Sequence, residues 1–128
     1  MTKIVLNDLY DYGLKIYQDE DLFKFSLDSI LLAEFVEIKN SSQNILDMCT
    51  GNCPIPLILS KYTDKKLVCF EIQKEIYSLG LDSIKYNHKA EQIKLINADI
   101  KDIGSYYQKH FFDIMICNPH FFKYEKSK

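Results

Sequence analysis

The sequence predicts an α/β fold in which a parallel sheet carries helices on both faces. Three observations predict it. Short apolar segments recur at "NILDM", "KLVCFE", "IKLIN" and "FDIMIC"; segments with helical spacing separate them; and a small-residue turn joins the first to the helix that follows. Strands buried on both faces read as continuous apolar runs, and strand–helix alternation leads to parallel pairing.

Taken in order, residues 4 to 25 hold two alternating segments, "IVLNDLY" and "LKIYQDEDLFKF", broken at Tyr12-Gly13 and at "QDED". They predict a hairpin or an extended arm. Ser26 offers an N-cap ahead of "LDSILLAEFVEI", where Leu27, Leu31, Phe35 and Ile38 form an apolar stripe predicted to be buried. A polar loop, "KNSSQN", follows, and the alternating pattern begins. The strands fall at 44 to 48, 66 to 71, 93 to 97 and 112 to 117. Helices are predicted at 54 to 62, 73 to 87 and 99 to 108, with Ile72, Ile76, Leu79 and Ile84 on the buried face of the second. A chain of 128 residues supplies one domain with a real core. Residues 1–43 are expected to form an N-terminal hairpin and helix that cover the ligand site, and residues 44–128 the first half of a Rossmann-like domain.

Composition narrows the function classes. A hydrophobic content of 47% with 27% charge is that of a soluble globular protein. No run is long and apolar enough to cross a membrane, and the start lacks a secretion pattern, which predicts a cytoplasmic location. All 16 basic residues are lysine, so no guanidinium fork is available for phosphate. A net charge of −2 argues against nucleic-acid binding over the whole surface, while Lys123, Lys126 and Lys128 leave a local patch. Cys49, Cys53, Cys69 and Cys117 read as reduced, buried thiols; a metal site from Cys49, Cys53, Cys117 and His120 lacks the close ligand pairs such sites use.

Open parallel sheets bind ligands beyond the carboxyl ends of their strands, so the residues that follow each strand carry the functional reading. Asp47 ends the first strand, Gly51 supplies an unrestricted φ, and Pro54 suits the first turn of a helix. Glu71, 24 residues beyond Asp47, can accept both hydroxyls of a ribose. Asp99 is placed to accept an exocyclic amine or to cap the helix after it, and the two roles are compatible. After the fourth strand, "NPHFF" offers the Asn118 amide oxygen, the free carbonyl of Pro119, and the rings of Phe121 or Phe122. Those parts suit a flat, amine-bearing substrate held edge-on by acceptors and face-on by stacking, although Asn-Pro turn chemistry before core aromatics would look similar.

Together "KFSLDSILLAEFV", "DMCTGN", "FEIQKE", "INADIKD" and "NPHFFK", in this order, resemble the Rossmann-like S-adenosylmethionine-dependent methyltransferases with an Asn-Pro-Pro-Tyr/Phe motif. The resemblance is to the tRNA(Val) adenine-N6-methyltransferases and their small relatives. It implies S-adenosylmethionine as cofactor and the N6 amine of adenine 37 in a valine tRNA as substrate, with no metal and no covalent nucleophile. By that resemblance Asp47 and Gly51 line the methionine and ribose end of the cofactor, Glu71 holds the ribose hydroxyls, and Asp99 with Ile100 flanks the adenine. Phe25 and Asp28 fall in the N-terminal motif that covers the cofactor. Asn118 and the Pro119 carbonyl accept hydrogen bonds from the target amine while Phe121 stacks on the flipped base.

The sequence departs from the family pattern in three ways. Cys53 stands where the glycine loop favours glycine, and a positive φ there would cost about 1–3 kcal/mol. His120 replaces the second proline of the motif. The chain also matches the family as a shortened form that stops after the fourth strand, which predicts a complementing C-terminal half or a homodimer as partner. Rival readings are methylation of guanine N2 in rRNA or of a protein glutamine, and a non-catalytic fragment kept for binding.

Overall fold

The computed structural model describes residues 3–21, 27–41 and 44–119. Two sheets form. Strands β1 (Ile4–Asp8) and β2 (Lys15–Asp19) pair antiparallel as a hairpin. The main sheet contains β3 (Asn44–Asp47), β4 (Lys66–Phe70), β5 (Ile93–Ile96) and β6 (Ile114–Ile116), all parallel, in the order β5-β4-β3-β6. The chain moves outward from β3 to β5, then crosses back to lay β6 on the other side of β3. The β3/β6 boundary is therefore the topological switch point, where open α/β sheets form their ligand crevice.

Side chains alternate across this sheet, and the alternation divides the core. Ile45, Leu67, Cys69, Ile93 and Leu95 join one large cluster with Ile30 and Ala33 of α1 (Leu27–Phe35), Ile55, Leu57, Ile58 and Leu59 of α2 (Pro54–Leu59) and Ile84 of α3 (Lys74–Tyr86). Leu9, Leu14 and Ile16 bring the hairpin into the same cluster. Leu46, Val68, Phe70 and Ile96 face the other way and meet Met48, Ala98, Ile100, Ile103, Tyr107 and Phe112. All three α-helices thus share the larger core. The second face is covered by a six-residue 3-10 helix, Ile100–Ser105, and by the packed rings of Tyr107, Phe111 and Phe112.

That 3-10 helix replaces the α-helix predicted over 99–108. Ile100 and Ile103 are β-branched and Gly104 follows them, so this short segment gains little from an α-helical ladder. The predicted stripe on α1 is also corrected. Leu27, Leu31 and Phe35 are exposed, Phe35 by 84%, and Ser29, Ile30 and Ala33 are the buried positions. Apolar residues run round most of α1, so spacing alone does not choose its inner face; small side chains at 29 and 33 let it lie close to α2. Ile72 likewise is not on the buried face of α3. It precedes the helix and is 60% exposed.

The hairpin is fastened by polar groups as well as by its apolar residues. Asn87 at the end of α3 accepts from the Lys15 N–H at 3.0 Å and donates to the Lys15 carbonyl at 2.6 Å. Ser83 Oγ accepts from the Tyr17 N–H at 2.8 Å, and Asn52 Nδ2 donates to the Tyr17 carbonyl at 2.8 Å. The last of these links the hairpin to the loop after β3. Ser26 and Phe25 lie outside the described residues, as do His120, Phe121, Phe122 and the lysines beyond. No described helix is long and apolar enough to cross a membrane.

Candidate functional site

The loop after β3 is held by both neighbouring strands. The Met48 N–H donates to the Ile116 carbonyl of β6 at 2.9 Å, and the Thr50 N–H donates to the Phe70 carbonyl of β4 at 3.0 Å. Between those anchors and α2 the backbone must turn sharply, and it does so through two left-handed residues, Gly51 at φ 64° and Cys53 at φ 76°. Glycine accepts that conformation freely; cysteine does not. The strain foreseen for Cys53 is therefore real, and Gly51 is not the loop's only left-handed position.

Glu71 closes the loop. Its carboxylate is buried and accepts from the Gly51 N–H at 2.9 Å through one oxygen and from the Gln73 N–H at 2.9 Å through the other. Each oxygen retains a further acceptor position. Asn97 steadies the same corner from β5, donating to the Glu71 and Ile72 carbonyls at 2.8 and 3.2 Å. Asp99 caps the 3-10 helix through the Lys101 N–H at 3.0 Å, and Lys101 Nζ lies 3.8 Å from its second oxygen.

These residues surround a cavity of about 150 Å³ lined by Met48, Cys49, Phe70, Glu71, Ile72, Gln73, Ile76, Ala98, Asp99 and Ile100. It sits at the carboxyl ends of β3, β4 and β5, with apolar walls and two carboxylates. Ile72 and Met48 are site residues the sequence reading missed. The usable signal was the position of Ile72 directly after the acidic strand end, where an apolar side chain is free to cover a ring.

Asp47 presents an orphaned carboxyl group. It is 3% exposed, and neither carboxylate oxygen has a well-formed hydrogen bond. Burial pushes its pKa up to about 7; Thr50 and the Cys49 N–H, nearby but short of good geometry, offset this in part, and the charge of Glu71 adds to it. A cationic or hydrogen-bonding ligand would satisfy these oxygens. Thr50 Oγ1 and Asn52 Oδ1, beside Asp47 in sequence, are also buried without partners.

Across the switch point stands the loop after β6. Asn118 is half-buried, and its Nδ2 donates to Ser29 Oγ of α1 at 3.1 Å, while Pro119 is exposed. Among the described residues, this contact leaves the side-chain oxygen of Asn118 unassigned. Asp28, next to Ser29, is exposed in the first turn of α1 and is not among the cavity's lining residues. Of the residues singled out from sequence, the fold groups Glu71, Asp99 and Ile100 around one cavity, ties Gly51 to Glu71, and brings Asp47 and Asn118 to neighbouring strand ends. Phe25 and Phe121 lie outside the described residues. The described residues contain no cluster of three or more side chains able to hold a metal ion.

Comparison with known proteins gives the family and the fold. The family model described as methyltransferase small domain matches residues 24–128. The chain is 30% identical over 110 residues to the tRNA1(Val) (adenine(37)-N6)-methyltransferase of Histophilus somni strain 129Pt, covering 84% of this chain and 46% of that protein. It is 26% identical over 109 residues to the enzyme of the same name from Actinobacillus pleuropneumoniae serotype 7, covering 84% and 44%. The chain therefore spans about half the length of these relatives. Similar folds include the N-terminal domain of human METTL16, with a TM-score of 0.68 at 19% identity over 88% of this chain and 48% of that one. Another is Methanocaldococcus jannaschii TYW2 in complex with AdoMet, with a TM-score of 0.65 at 21% identity over 80% and 46%.

Proposed function

Since the chain belongs to the methyltransferase small domain family, we propose that it is the cofactor-binding portion of an S-adenosylmethionine-dependent N-methyltransferase acting on the N6 amine of adenine in tRNA, at adenine 37 of a valine tRNA. The observation that carries this reading is the meeting, across the switch point, of an adenosine-compatible cavity and an Asn-Pro acceptor loop. The relatives' activity supplies the base and the tRNA.

The donor set suits the cofactor. Glu71 holds the ribose hydroxyls through its spare acceptor positions while the Gly51 and Gln73 N–H groups fix its orientation. Ile72 and Ile100 provide apolar walls for the adenine, and Asp99 accepts its amine. Asp47 and the Gly51 loop take the methionine end, where the ligand's ammonium would satisfy the orphaned carboxylate. When bound, S-adenosylmethionine supplies a methyl group activated on a sulfonium. The chain's own contribution on the acceptor side is to orient the amine. Asn118 Oδ1 and the Pro119 carbonyl accept its hydrogens, favour the positive charge that nitrogen gains, and hold it in a reactive pose. Phe121 supplies the face on which the base stacks.

Calorimetric titration with S-adenosylhomocysteine tests the first half of the reading, and methylation of unmodified valine tRNA tests the second. Binding with Kd on the order of micromolar, lost in Glu71→Ala, is the expected result. A folded protein that does not bind would favour a non-catalytic module, the reading to which the strained Cys53 loop lends support.

A further inference from the structure

Ser29 and Ala33 stand one turn apart on the buried side of α1, exposed by 1% and 2%. Ala33 and Ile30 join the apolar cluster without a polar side-chain atom, so packing at this face does not call for a hydroxyl. A serine in such surroundings costs stability unless its oxygen is paired, and serine is a weaker helix former than alanine. Ser29 is paired, and its partner lies 89 residues further along the chain: Oγ accepts from Asn118 Nδ2 at 3.1 Å, just beyond the end of β6.

The far end of α1 is fastened too. Glu34 in its last turn accepts from the Tyr62 hydroxyl at 2.8 Å and also from the Tyr12 hydroxyl. Tyr12 belongs to the turn of the hairpin and Tyr62 to the loop after α2. With Ile30 and Ala33 in the core between these ends, hairpin, α1 and α2 form one frame, and the Ser29 hydroxyl is a fixed point on it.

We propose that Ser29 is a positioning residue for Asn118: by accepting from Nδ2 it sets the turn of the planar amide, so that Oδ1 faces away from α1 and receives a hydrogen of the substrate amine. This deepens the functional reading above and rests on it for the identity of the amine. An amide has a donor end and an acceptor end of nearly the same shape, and the acceptor end alone suits an amine that must point its hydrogens at the protein and its lone pair at a methyl group. Turned over, the amide would set its own N–H groups against those of the substrate, with the Ser29 hydroxyl donating to Oδ1 instead. Asn118 is half-buried after a strand of three residues, and Ser29 is the side chain among the described residues that bonds its amide. Without that hydroxyl both orientations become populated, and only the molecules with the oxygen forward are competent.

The test begins without cofactor or tRNA. In the 15N-labelled 128-residue chain, the two side-chain amide protons of Asn118 are identified by their absence from Asn118→Ala, and their exchange with water is followed by NMR. Ser29→Ala, with folding checked by circular dichroism, should speed exchange of the protected proton by about tenfold. Ser29→Cys keeps the shape and offers only a weak acceptor, so it should show the same rise and guards against a packing defect. Unchanged exchange in both variants would overturn the proposal.

Methyl transfer to unmodified valine tRNA reads the consequence. Ser29→Ala should lower kcat by about tenfold. Affinity for S-adenosylhomocysteine should be unchanged, because Ser29 does not line the cavity. In the Asn118→Ala background, where no amide is left to orient, the same substitution should cost nothing further. An equal loss in both backgrounds would overturn the positioning role. No transfer by the unaltered chain would defeat the functional reading alone, since the exchange measurement decides by itself whether Ser29 orients the amide.

Discussion

The two sides of the crevice are built to different standards. On the cofactor side, the loops after β3, β4 and β5 are tied to one another by backbone and side-chain hydrogen bonds, and Glu71 and Gly51 are buried. On the acceptor side, among the described residues, β6 is three residues long and pairs with β3 alone, Met115 is 65% exposed, and Asn118 donates to Ser29. The difference teaches that a parallel sheet can brace a pocket at the ends of its first three strands, because each loop there is tied to the next. Among the described residues, the loop after β6 is braced by β3 and by Ser29 of α1, with no strand on its far side. Substitutions on the two sides should therefore separate binding from transfer.

The sharpest separation comes from Asn118→Ala. Asn118 is not among the residues that line the cavity, and the proposed function gives its amide oxygen to the target amine. Methyl transfer to tRNA should fall by about 10²–10³-fold, with S-adenosylhomocysteine affinity unchanged by calorimetry. A parallel loss of cofactor affinity would mean that the two sides are not independent.

Glu71→Ala should do the converse, with a smaller effect. Affinity for S-adenosylhomocysteine should drop by about 10–100-fold, and the buried Gly51 N–H loses its acceptor, so stability should also fall by about 1–3 kcal/mol. Thermal denaturation without ligand measures the second effect. An unchanged Tm with lost binding would place Glu71 on the ligand only.

Asp47 gives a pH-dependent version of the same test. Its folded pKa, about 7, lies above the ordinary 3.8. The folded chain therefore holds a proton that the unfolded chain releases between those values, and stability from this group is full below about pH 4 and declines as pH rises to about 7. Asp47→Asn should leave stability near pH 4 unchanged, raise it by up to about 4 kcal/mol above pH 7, and weaken cofactor binding. Urea denaturation across that range checks the sign; a variant less stable at pH 8 would show that the carboxylate is satisfied in the folded chain.

How far the sequence reveals all this also differs between regions. The strands, their order of appearance and the acidic strand ends are legible because apolar runs with period-two burial and carboxylates at their ends have few alternative readings. Glu71 and Asp99 fall where expected for that reason. The face of α1 is not legible, since Leu27, Leu31 and Phe35 are as apolar as the buried Ile30, and the choice is made by contact with α2. The meeting of the loop after β3 with the loop after β6 is likewise invisible in the chain, being created by the crossover that places β6 beside β3.

The smallest effect concerns the strain stored on the cofactor side. Cys53→Gly relieves the φ of 76° and should gain about 1 kcal/mol, yet it removes a sulfur with no solvent exposure, a loss of similar size. The net change should lie within about 1 kcal/mol. Gly80 of α3 explains why the sulfur fits: a Cβ there would come within 3.0 Å of Cys53 Sγ and of Leu95 Cδ2, so the missing side chain at 80 makes room for the extra one at 53. Gly80→Ala should then cost about 1–3 kcal/mol in the unaltered chain and less in the Cys53→Gly background, where only the flexible end of Leu95 must yield. A double-mutant cycle in urea reads the coupling directly. Additive changes would show that the sulfur and the glycine are not a matched pair.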